Sequence, residues 1–335
     1  MKPLVLPPNL QHHFYAGGRR IAELRGIEIA DDHMPEEWVG AVNTMFGERE
    51  RGLSRLENGT YLRDAIARDP EAFLGAEHVA RWGSDTGLLV KLLDAGQRLP
   101  VHFHPGRAFA AQALGLDHGK TEAWIIVEAE PGARVHAGFA EDVGLDTLRG
   151  WMRDQDSAAM LAAMRELPVR AGDAIFVPAG TPHAIGDGVL LVELQEPTDL
   201  SITLEWEGFE LSSEDVHLGL GWDRVLPALD RTAWGDERLA ALTAGRAGPE
   251  LLGAAADPYF RAERLEGAAA LDAGFSVLVG LAGEGTLTTA GGGAQPLARG
   301  SALLVPHAAG DGALDGDMTV LRCRPADPAA PEPER

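Results

Sequence analysis

At 335 residues, 45% hydrophobic and 24% charged, the chain has an ordinary globular composition and length for one large domain or two smaller ones. Its net charge of −22 excludes nucleic acid and anionic membranes as partners, although a local Lys or Arg can still draw in a small anion at short range. The single cysteine, Cys323, excludes a disulfide framework and a thiolate metal cluster; no apolar run suffices for a membrane span, and the start lacks a signal-peptide core, so a cytoplasmic protein is expected.

Residues 61–82 read as helix, with Tyr61, Leu62, Ile66, Phe73 and Leu74 at helical spacing and Asp69-Pro70 interrupting the run. The apolar stretch Leu88-Leu89-Val90-Lys91-Leu92-Leu93 predicts a buried strand, and further strands follow at 101–104, 124–127 and 134–139. The alanine-rich stretch 141–167 reads as an inserted helical pair carrying Leu145, Leu148, Met152, Met160, Leu161 and Met164. Strands resume at 174–177, 189–194 and 201–206, and residues 211–255 read as helical again. From Tyr259 onward, apolar runs at 275–281, 285–289, 301–305 and 318–322 alternate with Gly-rich turns. The Pro-rich tail 325–335 is expected to be disordered.

The plan is mainly β: a first barrel in residues 1–210 with helical insertions, a helical link over 211–255, and a second barrel in 256–324. Gly172-Asp-Ala-Ile-Phe-Val-Pro178 and Gly300-Ser-Ala-Leu-Leu-Val-Pro306 share one pattern, which suggests duplication.

The chemistry concentrates in the first half. His102-Phe103-His104-Pro105 places two imidazoles at i and i+2, on one face of a strand. The run from Gly172 through Pro178 and Gly180 to His183 supplies a third imidazole after a tight turn, and Glu122 adds a carboxylate. Three nitrogens and one oxygen suit one divalent cation, with Zn²⁺ first and Mn²⁺, Fe²⁺, Co²⁺ or Ni²⁺ also compatible. In this order the two elements resemble the paired motifs of cupins, so a double cupin is expected. Its metal site would lie in residues 1–210, and the C-terminal barrel would be degenerate, because Pro306-His307 has no ligand-spaced partner. His12, His13, His118, His136, His217 and His307 are assigned to the surface or to loops.

Over about residues 3–206 the sequence resembles the type I mannose-6-phosphate isomerases in their shorter bacterial form. The resemblance is carried by Leu6-Pro7-Pro8-Asn9, Glu36-Glu37-Trp38, Phe73-Leu74-Gly75 and the Leu88–Leu93 run. It is strongest at Gly119-Lys120-Thr121-Glu122-Ala123-Trp124 and at Pro178-Ala179-Gly180-Thr181-Pro182-His183. It implies a zinc-dependent aldose–ketose isomerase that interconverts mannose 6-phosphate and fructose 6-phosphate, or a related sugar, through a cis-enediol. It also implies Lys120 at the active site and Glu193 as the proton-transferring base. Read from the residues alone, Lys120 is also compatible with a surface loop, and Glu193 with a partner for Lys or Arg in the barrel wall.

Two departures bear on substrate. The family has Gln where this chain has His102, and an Arg at about the position of Thr203. No Arg or Lys occurs between Arg170 and Arg224. Arg107, three residues past His104, is the candidate to supply that guanidinium to a phosphate; the loss also fits an unphosphorylated sugar. The alternative reading is a non-catalytic metal-binding cupin that binds a sugar or regulates carbohydrate metabolism, and an Fe²⁺ dioxygenase would use the same ligand set. The expected partner is a small sugar or sugar phosphate, with the chain a monomer or a homodimer.

Overall fold

The computed structural model describes residues 1–243, 245 and 248–332. Three antiparallel sheets account for the β structure. The first, six-stranded, runs in the order Leu10–Gln11, Glu36–Val39, Leu89–Ala95, Val189–Gln195, Glu122–Ala129 and Ala174–Val177. The second, five-stranded, runs Ile202–Thr203, His102–Phe103, His183–Ile185, Arg134–Phe139 and Met164–Pro168. Leu93, Trp124, Ile126 and Leu191 of the first sheet pack with Val135 and Ile185 of the second, so these two sheets close over one core as a barrel.

The third sheet is the second barrel. Two 14-residue strands, Ser276–Thr289 and Gly312–Pro325, pair along their length and are flanked by Ala302–Val305 and Phe260–Glu266. Its interior is filled by aliphatic side chains such as Leu278, Leu287, Leu303 and Val320. Gly172 and Gly300 both take positive φ (94° and 83°) before strands that run up to Pro178 and Pro306, so the repeated sequence pattern is one repeated local shape.

The six-stranded sheet is buried on both faces. Val90, Leu92, Ile125, Leu190, Val192 and Leu194 pack outward against helices Leu62–Arg68 and Pro70–Leu74 and against Val277, Val279, Leu304 and Leu321 of the second barrel. A two-residue period therefore turns Lys91, Glu122 and Glu193 toward the interior of the first barrel, on the same side as Leu93, Trp124 and Leu191. Double burial explains why strands Leu89–Ala95 and Val189–Gln195 read as near-continuous apolar runs.

The expected double-barrel architecture is present, with differences in detail. Leu4–Val5 pairs with Leu304 and Leu303, so the start of the chain adds a strand to the second barrel, and the first unit does not begin at residue 1 as expected. The insertion over 141–167 forms helices Leu145–Asp154 and Ser157–Ala162, but Met164 opens a strand instead of extending the second helix. The stretch 211–255 is helical only in short pieces, Trp222–Val225, Leu226–Ala228, Asp236–Thr243 and Ala254–Ala256; residues 244, 246 and 247 lie outside the described residues. Its apolar residues Val225, Leu226 and Leu229 instead cover the outer face of the five-stranded sheet. The tail departs from expectation at its start: Pro325 closes a strand, Ala326 is buried, and the carbonyls of Pro328 and Ala330 accept hydrogen bonds from Arg81. Residues 333–335 lie outside the described residues. Among the described residues no helix is long and apolar enough to cross a membrane.

Candidate metal centre and its cavity

The strand geometry delivers the imidazoles to one point. His102 lies directly opposite His183 on one neighbouring strand and opposite Thr203 on the other. Phe103, between the two histidines, turns to the other face and packs with Ala184 and Ile202. The ligand nitrogens of His102, His104 and His183 all lie within 4.8 Å of one another. Each ring has its Nδ1 on a backbone carbonyl: His102 on Pro100 at 2.8 Å, His104 on Leu200 at 2.7 Å and His183 on Thr181 at 2.8 Å. Three such hydrogen bonds set the tautomer, so each Nε2 presents a lone pair to the site.

Glu122 enters from the facing sheet. Its Oε1 accepts from Trp124 Nε1 at 3.0 Å and lies 3.3 Å from His183 Nε2, while its Oε2 lies 3.0 Å from His104 Nε2. Glu122 Oε2 and His183 Nε2 are buried with no hydrogen-bond partner. Unprotonated ring nitrogens set this close to a carboxylate are acceptors facing acceptors, an arrangement that a cation between them would relieve. Burial holds His104 and His183 at about 3, far below an ordinary imidazole, so both rings are neutral at physiological pH, the form that can bind a metal. Burial alone would raise Glu122, yet Lys120, His104 and His183 hold it well below the usual carboxylate range. The donor set His102, His104, Glu122 and His183 therefore fits a divalent cation.

Lys120 Nζ lies 2.9 Å from His104 Nε2, 3.2 Å from Glu122 Oε2 and 3.9 Å from Glu193 Oε1. It is buried, so the surface-loop reading of Lys120 is set aside. The loop that carries it is clamped by Glu196, which accepts the Thr121 N–H at 2.8 Å and returns its own N–H to the Thr121 carbonyl. Burial, reinforced by Glu122, raises Glu193 to about 7 against the opposing pull of Lys120 and Lys91. Glu193 pairs with Lys91 of the barrel wall, and its carboxylate lies in the same cavity as Lys120, His102 and His104.

A layer that sequence reasoning missed lies beside Glu193. Lys91 bridges Glu193 and Glu36, and Glu36 also accepts from Tyr15 Oη at 2.7 Å and from Trp38 Nε1 at 2.8 Å, with His13 Nε2 3.1 Å away. Glu36-Glu37-Trp38 and Glu122-Ala123-Trp124 thus share a local device, an indole donating to the carboxylate two residues earlier. The available signal was Lys91 itself, a charge within an apolar run whose strand is buried on both faces.

Arg107, expected at the substrate, does not line this cavity. Its Nε donates to Glu196 at 2.5 Å and its guanidinium lies 5.7 Å from the Tyr259 ring. The physical reason is local: the helix Arg107–Leu114 begins just past the histidines and turns the side chain toward the buried carboxylate of Glu196. His118, expected on the surface or in a loop, is half-buried against Asp85 and Glu196. His118, His12 and His13 lie in loops as expected, the last two lining the cavity, whereas His136 is buried on strand Arg134–Phe139 and departs from expectation. The cavity encloses about 500 Å³ and holds His102, His104, Glu122, Lys120 and Glu193 at one end, with Thr203 in its wall.

No protein-family model matches the chain. In sequence it is similar to a mannose-6-phosphate isomerase of Streptococcus mutans, 32% identical over 202 residues, which cover 59% of this chain and 58% of the relative. The chain thus matches less than two thirds of that relative's length. In structure it is similar to the crystal structure of the mannose 6-phosphate isomerase from Bacillus subtilis, with a TM-score of 0.77 at 22% identity over 97% of this chain and all of that one. A mannose 6-phosphate isomerase solved with zinc and yttrium gives a TM-score of 0.74 at 15% identity over 98% of this chain and all of that one. The resemblance read from the sequence is borne out, and the fold is that of these isomerases.

Proposed function

We propose that this relative of the mannose-6-phosphate isomerases is itself a metal-dependent aldose–ketose isomerase working through a cis-enediol. The observation that carries the reading is the placement of Glu193, a buried carboxylate held near neutrality beside a three-histidine, one-glutamate cluster at the end of a cavity of sugar size. His102, His104, Glu122 and His183 would hold one divalent cation. Zinc is the first candidate because the donor set suits it and a fold neighbour was solved with it. When bound, such a cation supplies Lewis-acid stabilisation of the charge that develops on the enediol oxygens.

The chain's own groups divide the remaining work. Glu193 takes the proton from C2 of the aldose and returns it to C1 while the O2 hydroxyl proton passes to O1, a transfer suited to a base whose pKa lies near the working pH. Lys120, buried beside it, offers a fixed positive charge toward the same oxygens. Lys91 keeps Glu193 oriented from the opposite side. Apart from the cavity they line, these groups are buried.

The test is an isomerase assay on the metal-loaded protein. It should equilibrate mannose 6-phosphate with fructose 6-phosphate or interconvert another aldose–ketose pair. Absence of turnover on a broad panel of sugars and sugar phosphates with Zn²⁺, Mn²⁺, Fe²⁺, Co²⁺ and Ni²⁺ would leave a non-catalytic sugar-binding protein instead.

A further inference from the structure

We infer that the sugar taken by this site is uncharged, not a phosphate ester; the inference rests on the isomerase reading above and names its substrate class. Its basis is the charge of the cavity wall. Three side chains of fixed positive charge line the cavity, Arg51, Lys91 and Lys120, against seven carboxylates. A divalent cation would add two positive charges, and the seven carboxylates would still outnumber the three cationic side chains and the ion together, His12 and His13 apart.

Nor are the inner cations free to meet a phosphate. Lys91 is shared between Glu36 and Glu193, and Lys120 lies against Glu122 and His104. Arg107 is turned away to Glu196. Arg51 remains, at the exposed mouth, where it donates to the His12 carbonyl. Glu48, Glu210 and Asp215, all exposed, line the same cavity. A phosphate dianion entering here would meet three exposed carboxylates for one guanidinium, on a chain whose overall field is already strongly negative.

The same wall suits an uncharged sugar. Ser201 and Thr203 place hydroxyls along the inner cavity. Phe14, Tyr15 and Phe46 offer apolar surface for the C–H face of a sugar ring. Phe46, 43% exposed, is open to such a contact.

The experiment compares free aldoses, mannose among them, with their phosphate esters on the metal-loaded protein, by turnover and by titration calorimetry, at low and high salt. The expected result is a kcat/KM roughly tenfold or more higher for a free aldose, with salt improving the ester and leaving the free sugar unchanged as repulsion is screened. The double variant Glu210→Gln, Asp215→Asn should raise the ester-to-free ratio severalfold. A tenfold preference for the ester overturns the uncharged-sugar assignment and leaves the isomerase reading standing. If nothing turns over, the isomerase reading fails and calorimetry still decides: tighter binding of the free sugar retains the assignment, whereas tighter binding of the ester, or binding of neither, overturns it.

Discussion

Lys91 and Glu193 stand directly opposite each other on neighbouring antiparallel strands, with Lys91 Nζ 3.6 Å from Glu193 Oε1 and 3.2 Å from Glu36 Oε2. All three side chains are buried, so one ammonium balances two carboxylates away from water. Burial alone would lower the lysine, but Glu36 and Glu193 outweigh it and hold the ammonium above the usual lysine range. Lys91 is therefore a permanent charge and not a proton donor.

Removing that charge takes the shared ammonium from two buried carboxylates. Lys91→Met should cost about 3–5 kcal/mol of unfolding free energy. Adding Glu36→Gln should recover part of the loss, with a coupling of about 1 kcal/mol or more in a double-mutant cycle. Urea unfolding of the four proteins measures this, and strictly additive effects would show that the two side chains do not depend on each other.

Glu193→Gln keeps shape and removes the proposed base. A fall in kcat of about 10²–10⁴-fold is expected, with metal content unchanged. Activity within a few-fold of the parent would assign the proton transfer to another group.

The metal set should be visible without any assay of turnover. Freshly purified protein should carry one divalent ion per chain, and chelation should lower its melting temperature because the ion binds only the folded site. His183→Ala and Glu122→Gln should each reduce that stoichiometry and shrink the chelator effect. Full metal content in both variants would sink the proposed ligand set.

His118 makes a pH-dependent contribution. Burial opposes its charge, but the hydrogen bond to Asp85 and the nearby carboxylate of Glu196 raise it to about 9. The folded value lies above the unfolded one of about 6.5, so the stabilisation is complete below about pH 6.5 and is lost as pH rises through about 9. Its upper size is about 3 kcal/mol. The stability gap between the parent and His118→Gln should narrow across that window, and a gap independent of pH would refute the pairing.

Legibility in the sequence followed locality. The pair at His102 and His104 was readable because a strand's two-residue period alone puts both rings on one face. The run ending at His183 was readable because Gly and Pro mark the turn before it, and Gly172 does adopt a positive φ. Glu36 and Tyr15 carried no such mark. They meet Lys91 only because the chain start and strand Glu36–Val39 fold back alongside Leu89–Ala95. Arg107 failed as an expectation for the same reason: proximity in sequence to His104 says nothing about Glu196, 89 residues on, which takes its guanidinium.

The sequence by itself determined the mainly β plan, the donor types available to a metal and the absence of thiolate chemistry, because each follows from residue type and short-range periodicity. Only the tertiary structure decided which charges reach the cavity, since pairing across strands far apart in the chain sets which lysines are engaged. It also decided the exchange of Leu4–Val5 into the second barrel and the burial of the central sheet on both faces. That double burial leaves Lys91, Glu122 and Glu193 no route to water except through the cavity, and so forces them to satisfy one another there.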